Sequence, residues 1–228
     1  MLGAIKMGFG IQDVSESSRF FVGLDLGQMR DHSALAVVER DEIFVGEMDH
    51  ATYERPRMRR FRVRYLERLA LGTSYPTVVE RVRQVVRQRP LMSRCTLVMD
   101  ATGVGAPVLD LMRVAGLGCG IVPVNLTGGE RESQSGGIWN VPKQGLISGL
   151  LLMLEKKELA LSKRVAAALV LDKELAGMEA RVSRSGHFSF GAREGEHDDV
   201  VMAAALACWR ARWKSEGIWG TKPLGIEY

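Results

Sequence analysis

Residues 95–125 constrain the fold of this chain more than any other stretch. Cys95-Thr96-Leu97-Val98-Met99 is a short apolar run of strand-forming character, and it ends at Asp100. Gly103 and Gly105 then mark a turn, residues 106–115 have the length and spacing of a helix, and residues 120–125 form a second short apolar run. Strand, helix and strand in that order make a parallel crossover, because a tight turn cannot join parallel neighbours.

The flanking sequence adds the remaining layers. Residues 20–26, 33–39 and 43–48 are short apolar runs with short connections, which predicts an antiparallel meander of three strands. Residues 76–88 carry Val78, Val79, Val82, Val85 and Val86 on one stripe, with Arg81, Arg83 and Arg87 elsewhere and Pro76 at the start. That is an amphipathic helix with proline in its first turn. Residues 127–137 read as a flexible polar loop. Helices are expected at 142–156, 165–179 and 198–212, a short strand at 159–161, and a small strand or hairpin at 186–190. A meander followed by alternating helices and strands is α/β with a mixed central sheet flanked by helices. The 228 residues, 46% of them hydrophobic, suffice for one core. The expected division is a lead-in at 1–18, one domain at 19–214 with an Arg-rich insertion at 54–72, and a tail at 215–228.

Composition excludes several classes. Cys95, Cys119 and Cys208 are scattered in apolar surroundings, with neither zinc spacing nor a disulfide framework. No apolar run is long enough to span a membrane, and residues 1–10 lack the form of a secretory signal. The expectation is a soluble intracellular protein. A net charge of +4 leans towards polyanions without identifying one.

The chemistry lies in acids at element ends. Asp25 lies between Leu24 and Leu26 in the first apolar run, Asp100 ends the run at 95–99, and Asp198-Asp199 open the last helix. Each has a structural alternative. Asp25 and Asp100 can receive donors from the turns that follow them, and Asp198 can cap the helix while Asp199 meets its dipole. Strand ends and a helix start converge in the crevice of an α/β sheet. Clustered carboxylates there repel one another unless a cation joins them. Oxygen ligands without a cysteine or histidine framework suit Mg²⁺ or Mn²⁺, and two such ions activate water in phosphodiester cleavage.

These residues carry a resemblance. Gly23-Leu24-Asp25-Leu26-Gly27 with Asp31, Val98-Met99-Asp100-Ala101-Thr102-Gly103, and His197-Asp198-Asp199-Val200-Val201 resemble the three acidic motifs of terminase nuclease domains, and residues 142–156 are similar to the helix between the last two. The match spans residues 20–209. It implies an RNase H-like fold and an endonuclease that cuts concatemeric DNA during bacteriophage genome packaging in the host bacterial cytoplasm. It implies Asp25, Asp100 and Asp199 as catalytic metal ligands with Asp198 beside them at the metal, and Asp31 as an outer or second-metal ligand, although a turn aspartate accounts for Asp31 equally well. Lys143 falls where the family has a basic residue near the cleft. His197 is either a base or substrate contact, or a histidine held at the helix start. The implied partners are double-stranded DNA, a terminase ATPase domain, a small terminase subunit and a portal protein. No Gly-x-x-x-x-Gly-Lys-Ser/Thr phosphate loop occurs in the sequence. The expectation is therefore an excised nuclease part, or a product encoded apart from its motor.

Residues 55–68 depart from the family pattern. Arg57, Arg59, Arg62 and Arg64 alternate with Met58, Phe61, Val63 and Tyr65, and Arg60 stands beside Arg59. An extended arm of this kind tracks phosphates with little base readout. The alternatives are a solvated surface strand or a contact with an ATPase domain. Three other functions compete: a resolvase- or transposase-type nuclease, an actin-like ATPase suggested by Asp25-Leu26-Gly27, and a non-catalytic DNA-binding module.

Overall fold

The computed structural model describes residues 17–27, 31–53, 55–103, 105–162, 164–182, 188–192 and 197–213. The expected lead-in, apart from its last two residues, and the expected tail lie outside them. β1 (Arg19–Asp25), β2 (Ala34–Phe44) and β3 (Arg57–Arg68) form the antiparallel meander. α1 (Tyr75–Val86) follows, with Ser74 accepting from the Thr77 amide at its start. β4 (Cys95–Asp100) lies parallel to β1, and α2 (Gly105–Val114) crosses over to β5 (Gly120–Thr127), parallel to β4. β6 (Ser133–Ser135) and β7 (Ile138–Pro142) are an antiparallel pair beyond β5. α3 (Lys143–Glu155) then leads to β8 (Leu159–Leu161), a short strand parallel to β3 at the opposite edge. α4 (Ala168–Ala176), the hairpin of β9 (Met178–Val182) and β10 (Phe188–Ala192), and α5 (Asp199–Ala211) complete the order. The main sheet runs β6-β7-β5-β4-β1-β2-β3-β8.

Side-chain alternation divides the core into two layers. Phe20, Val22 and Leu24 of β1, with Leu97 and Met99 of β4, face α1 and α2. Phe21 of β1 and Val98 of β4 face α3, α4 and α5. Asp25 and Asp100 therefore belong to the α5 side of the sheet. α5 is apolar all round, and Val200–Cys208 is essentially excluded from solvent. Its alanines let it lie directly on β1. A Cβ built on Gly23 would sit 1.9 Å from the Ala203 carbonyl oxygen, so only glycine permits this approach. Among the described residues no helix is long and apolar enough to cross a membrane.

Three expectations change. Nearly all of the run at 33–39 and only the first two residues of the run at 43–48 belong to one strand, β2, with an irregularity at Val37/Val38, and the third meander strand is the Arg-rich segment itself. Residues 57–68, within the expected Arg-rich insertion at 54–72, form a full strand of the main sheet. Its arginines pair with acids on β2, which compensates for a composition that reads as surface. The supposed loop at 127–137 contains β6. The helix expected at 165–179 is shorter, because the chain turns at Gly177 into β9.

Candidate active site

β1 and β4 run parallel with Leu24 beside Met99, so the next residues, Asp25 and Asp100, end neighbouring strands on the same face. Adjacent strands lie about 4.8 Å apart, which brings two carboxylates together where the sheet stops. The close crossing of α5 at Gly23 delivers the start of that helix to the same place. Asp199 lies in the first turn of α5 and is 5% exposed. Asp198 stands at the N-cap position, yet its side chain makes no capping bond. Instead its Oδ2 accepts from Lys143 Nζ at 2.7 Å, and Lys143 opens α3 directly after β7. Asp100 Oδ1 accepts from the Thr102 amide at 2.7 Å, and Thr102 Oγ1 accepts from the Leu126 amide at 2.7 Å. These bonds tie the exit of β4 to β5 and fix the Asp100 carboxylate.

Electrostatics follow from this crowding. Burial, then the neighbouring Asp100, Asp199 and Asp198, push the Asp25 carboxyl well above its ordinary range, and Lys143 opposes them. Asp100 is raised by burial against the Thr102 bonds and the Lys143 ammonium. Asp199 is raised by burial, with His197 and His32 pulling the other way. Asp199 Oδ2 is buried and accepts no hydrogen bond among the described residues. Unpaired buried carboxylate oxygen is costly and favours a cation. The donor set, all carboxylate oxygen, fits a hard divalent ion. Among the described residues no three ligand-type side chains already stand together as a finished cage. Lys143 holds one of the acids, Asp198.

The mouth of the cluster carries Asp31 and two histidines. Asp31 is largely exposed, its Oδ1 lies 4.0 Å from His197 Nδ1, and that nitrogen lies 3.8 Å from Asp199 Oδ2. His32 Nδ1 meets the Leu69 carbonyl at 2.8 Å, and the His32 and His197 rings meet edge to face at 5.2 Å.

Glu174 is a buried acid beside the site that sequence reasoning missed. It sits on α4 and is 6% exposed. Its Oε2 accepts from the Val200 and Val201 amides at 2.9 and 3.0 Å, so a second helix caps α5. Its Oε1 lies 3.6 Å from Arg68. Burial raises its carboxyl to about 7, opposed chiefly by the bond from the Val201 amide. The available signal was an acid in the spacing Val170, Leu171, Glu174, Leu175, where a stripe facing the core should be apolar.

The arginines lie elsewhere. Ala34 pairs with both Asp25 and Arg68, whereas Arg57 pairs with Phe44 at the far end of the sheet. Eleven residues of strand separate Arg57 from Arg68, roughly 36 Å. Arg64 is buried with Nε 2.7 Å from Glu39 Oε2, so it cannot meet phosphate and leaves the candidate DNA surface. Arg62 also reaches Glu39, at 3.4 Å, and Arg59 reaches Glu42 at 3.2 Å. Arg60 is exposed at that far end, and the Arg57 side chain lies outside the described residues. Of the arginines on β3, Arg68 is the one at the carboxylate end.

A mixed sheet opening with a meander, acids at the ends of its first and fourth strands, and a closing helix that brings further acids define the RNase H-like class. No protein-family model matches the sequence, and no curated protein matches it. Solved structures of terminase nuclease domains share the fold. The large terminase nuclease of thermophilic phage G20c with bound magnesium is 22% identical at a TM-score of 0.60, covering 88% of this chain and 85% of that one. The g2p large terminase nuclease domain of bacteriophage SPP1 with bound Mn is 12% identical at 0.50, over 86% and 88%. The Mn-soaked human cytomegalovirus terminase nuclease domain is 10% identical at 0.51, over 88% of each chain. At these identities the likeness establishes the fold.

Proposed function

We propose that this chain is a divalent-metal-dependent endonuclease that hydrolyses DNA phosphodiesters as the nuclease part of a genome-packaging terminase. The observation that carries the reading is the set of Asp25, Asp100 and Asp199 at one sheet end, each with raised proton affinity and one with an unpartnered buried oxygen. The metal-bound terminase nucleases of the same fold support it.

Asp25, Asp100 and Asp199 would hold the divalent metal, with Asp25 the acid most affected by its neighbours. A divalent ion bound there supplies charge neutralisation at phosphorus and lowers the pKa of an attacking water. Thr102 keeps the Asp100 carboxylate oriented, and Glu174 keeps the start of α5 in register with β1. Lys143 holds Asp198 at the rim, where its ammonium also meets an approaching phosphate. Asp31 and His197, at the entrance, would orient the attacking water or take up the proton it loses. Double-stranded DNA is the substrate of this reading. A terminase ATPase domain, small subunit and portal protein are its partners, and the bacterial cytoplasm its site of action.

The test is cleavage of supercoiled and linear plasmid with Mg²⁺, Mn²⁺ or EDTA, beside Asp25→Asn and Asp199→Asn. Internal cuts that need metal and fall by about 100-fold or more in both variants are expected. Cleavage that persists in EDTA, or survives both substitutions in folded protein, would sink the assignment.

A further inference from the structure

The Arg-rich strand that the carboxylate site does not use borders a large groove. The groove measures about 1810 Å³ and lies between the β2–β3 turn region, the edge strand β8 and the end of α5. Phe44, Met48, Tyr53 and Met58 line it, and each is between 41% and 81% exposed. Four large apolar side chains open to water in one patch mark a surface that is covered in use. The lining carries six arginines and lysines against three acids.

One wall is an open sheet edge. β8 pairs with β3 only over Phe61–Val63, and among the described residues no strand lies beside residues 57–60 on that side. The Phe61 amide donates towards β8, to the Glu158 carbonyl. The β2–β3 register is unbroken from Arg57 to Val63, so by the two-residue period the Arg59 amide points the same way, into the groove. An edge of this kind accepts an added strand.

We propose that this groove receives an extended acidic and apolar segment of another polypeptide, which adds as a strand to β3 at residues 57–60. By the β2–β3 register Phe44 shares a face with Arg59 and Phe61, and Met58 shares the other with Arg60, so the guest's apolar side chains cover Phe44 on one face and its acidic side chains meet Arg60 on the other. Nucleic acid fits less well. Arg59 and Arg62 already hold Glu42 and Glu39, and an apolar floor offers phosphates nothing. The groove lies roughly 25 Å or more along the strand from the carboxylates, so docking leaves the cleavage site open. The inference does not depend on the nuclease reading.

Binding of fluorescein-labelled peptides to the full chain tests it. One probe alternates Glu and Val over about eight residues, a second alternates Lys and Val, and a third is a short DNA duplex. The Glu/Val peptide binds saturably and the Lys/Val peptide does not. Arg59→Pro removes only an outward amide from the ladder, a change that edge strands tolerate, and weakens binding by about tenfold or more. Arg59→Ala keeps the amide and binds within about threefold of the wild type, which separates edge pairing from side-chain loss. Met58→Glu, on the exposed floor, weakens binding as well and serves if the proline variant fails to fold by circular dichroism. Absence of Glu/Val binding overturns the proposal, as does equal binding to Arg59→Pro in folded protein. Displacement of the peptide by the duplex would assign the groove to nucleic acid. Self-association that Arg59→Pro abolishes would assign it to a second copy of this chain. Either result overturns the proposal.

Discussion

Asp25 shows what the site costs the fold. It ends a core strand, yet its carboxyl is crowded by Asp100, Asp199 and Asp198 and relieved mainly by Lys143. In the absence of a bound cation, ionising it works against folding. Asn has the same shape and no charge, so Asp25→Asn should abolish cleavage while stabilising the chelated protein by about 1 kcal/mol or more at about pH 8. Urea denaturation of both proteins in EDTA measures this. A variant less stable than the wild type would mean that the carboxylate is satisfied as a structural acceptor, and the metal-ligand role would lose its physical basis. Lys143 belongs to the same balance. Its ammonium holds Asp198 at 2.7 Å and eases the ionisation of Asp25 and Asp100, so a cation entering the cluster competes with a lysine already in place.

α5 is the element that turns a sheet into a site. Gly23 admits it, its alanines bring it close, and Glu174 on α4 holds its first amides while Asp198, at the usual capping position, faces Lys143. Glu174→Ala would leave two buried amides without an acceptor, costing about 2 kcal/mol or more. The same change should lower kcat with little effect on KM for DNA, because it loosens the turn that carries Asp199. Glu174→Gln keeps one acceptor oxygen and should recover most of both losses. Denaturation and steady-state cleavage of the two variants decide it. Unchanged stability in Glu174→Ala would remove the capping role. This element also shows where sequence was legible. The convergence of Asp25, Asp100 and Asp199 was readable because each stands at the end of a strand or the start of a helix flanked by apolar residues, where a charge needs a reason. The parallel crossover at 95–125 was readable from local pattern. Glu174 was not, since its partners are 26 and 27 residues away and only helix packing brings them together. β3 was misread because ion pairs with Glu39, Asp41 and Glu42 neutralise a strand whose composition resembles a surface arm. β6 was missed because three exposed residues of Ser-Gln-Ser carry no apolar period.

At the scale of the whole molecule the sheet has two contrasting ends, acidic where β1 and β4 stop and basic with exposed apolar side chains where β2 turns into β3. The acidic end dominates the response to pH. Asp25, Asp100, Asp199 and Glu174 all have carboxyl pKa values raised by burial, so the folded chain binds protons more tightly than the unfolded chain does. Stability contributed this way is present at low pH and is lost as pH rises from the unfolded value through the folded one. For Glu174 that window runs from the ordinary value of 4.5 to about 7, a loss of roughly 3 kcal/mol at most. The three aspartates add to it in the same direction. A divalent cation replaces those protons at high pH and has little to replace at low pH. The expected pattern is therefore a Tm in EDTA that falls between about pH 5 and about pH 8, with Mn²⁺ restoring it at the upper pH and doing little at the lower. Calorimetry at both pH values, with and without Mn²⁺, gives the four numbers required. Asp25→Asn should flatten both the pH dependence and the metal response, because it removes the carboxylate the other acids crowd. A Tm that rises with pH in EDTA, or a Mn²⁺ response equal in the variant, would mean that these acids are held by protein donors and not poised for a cation.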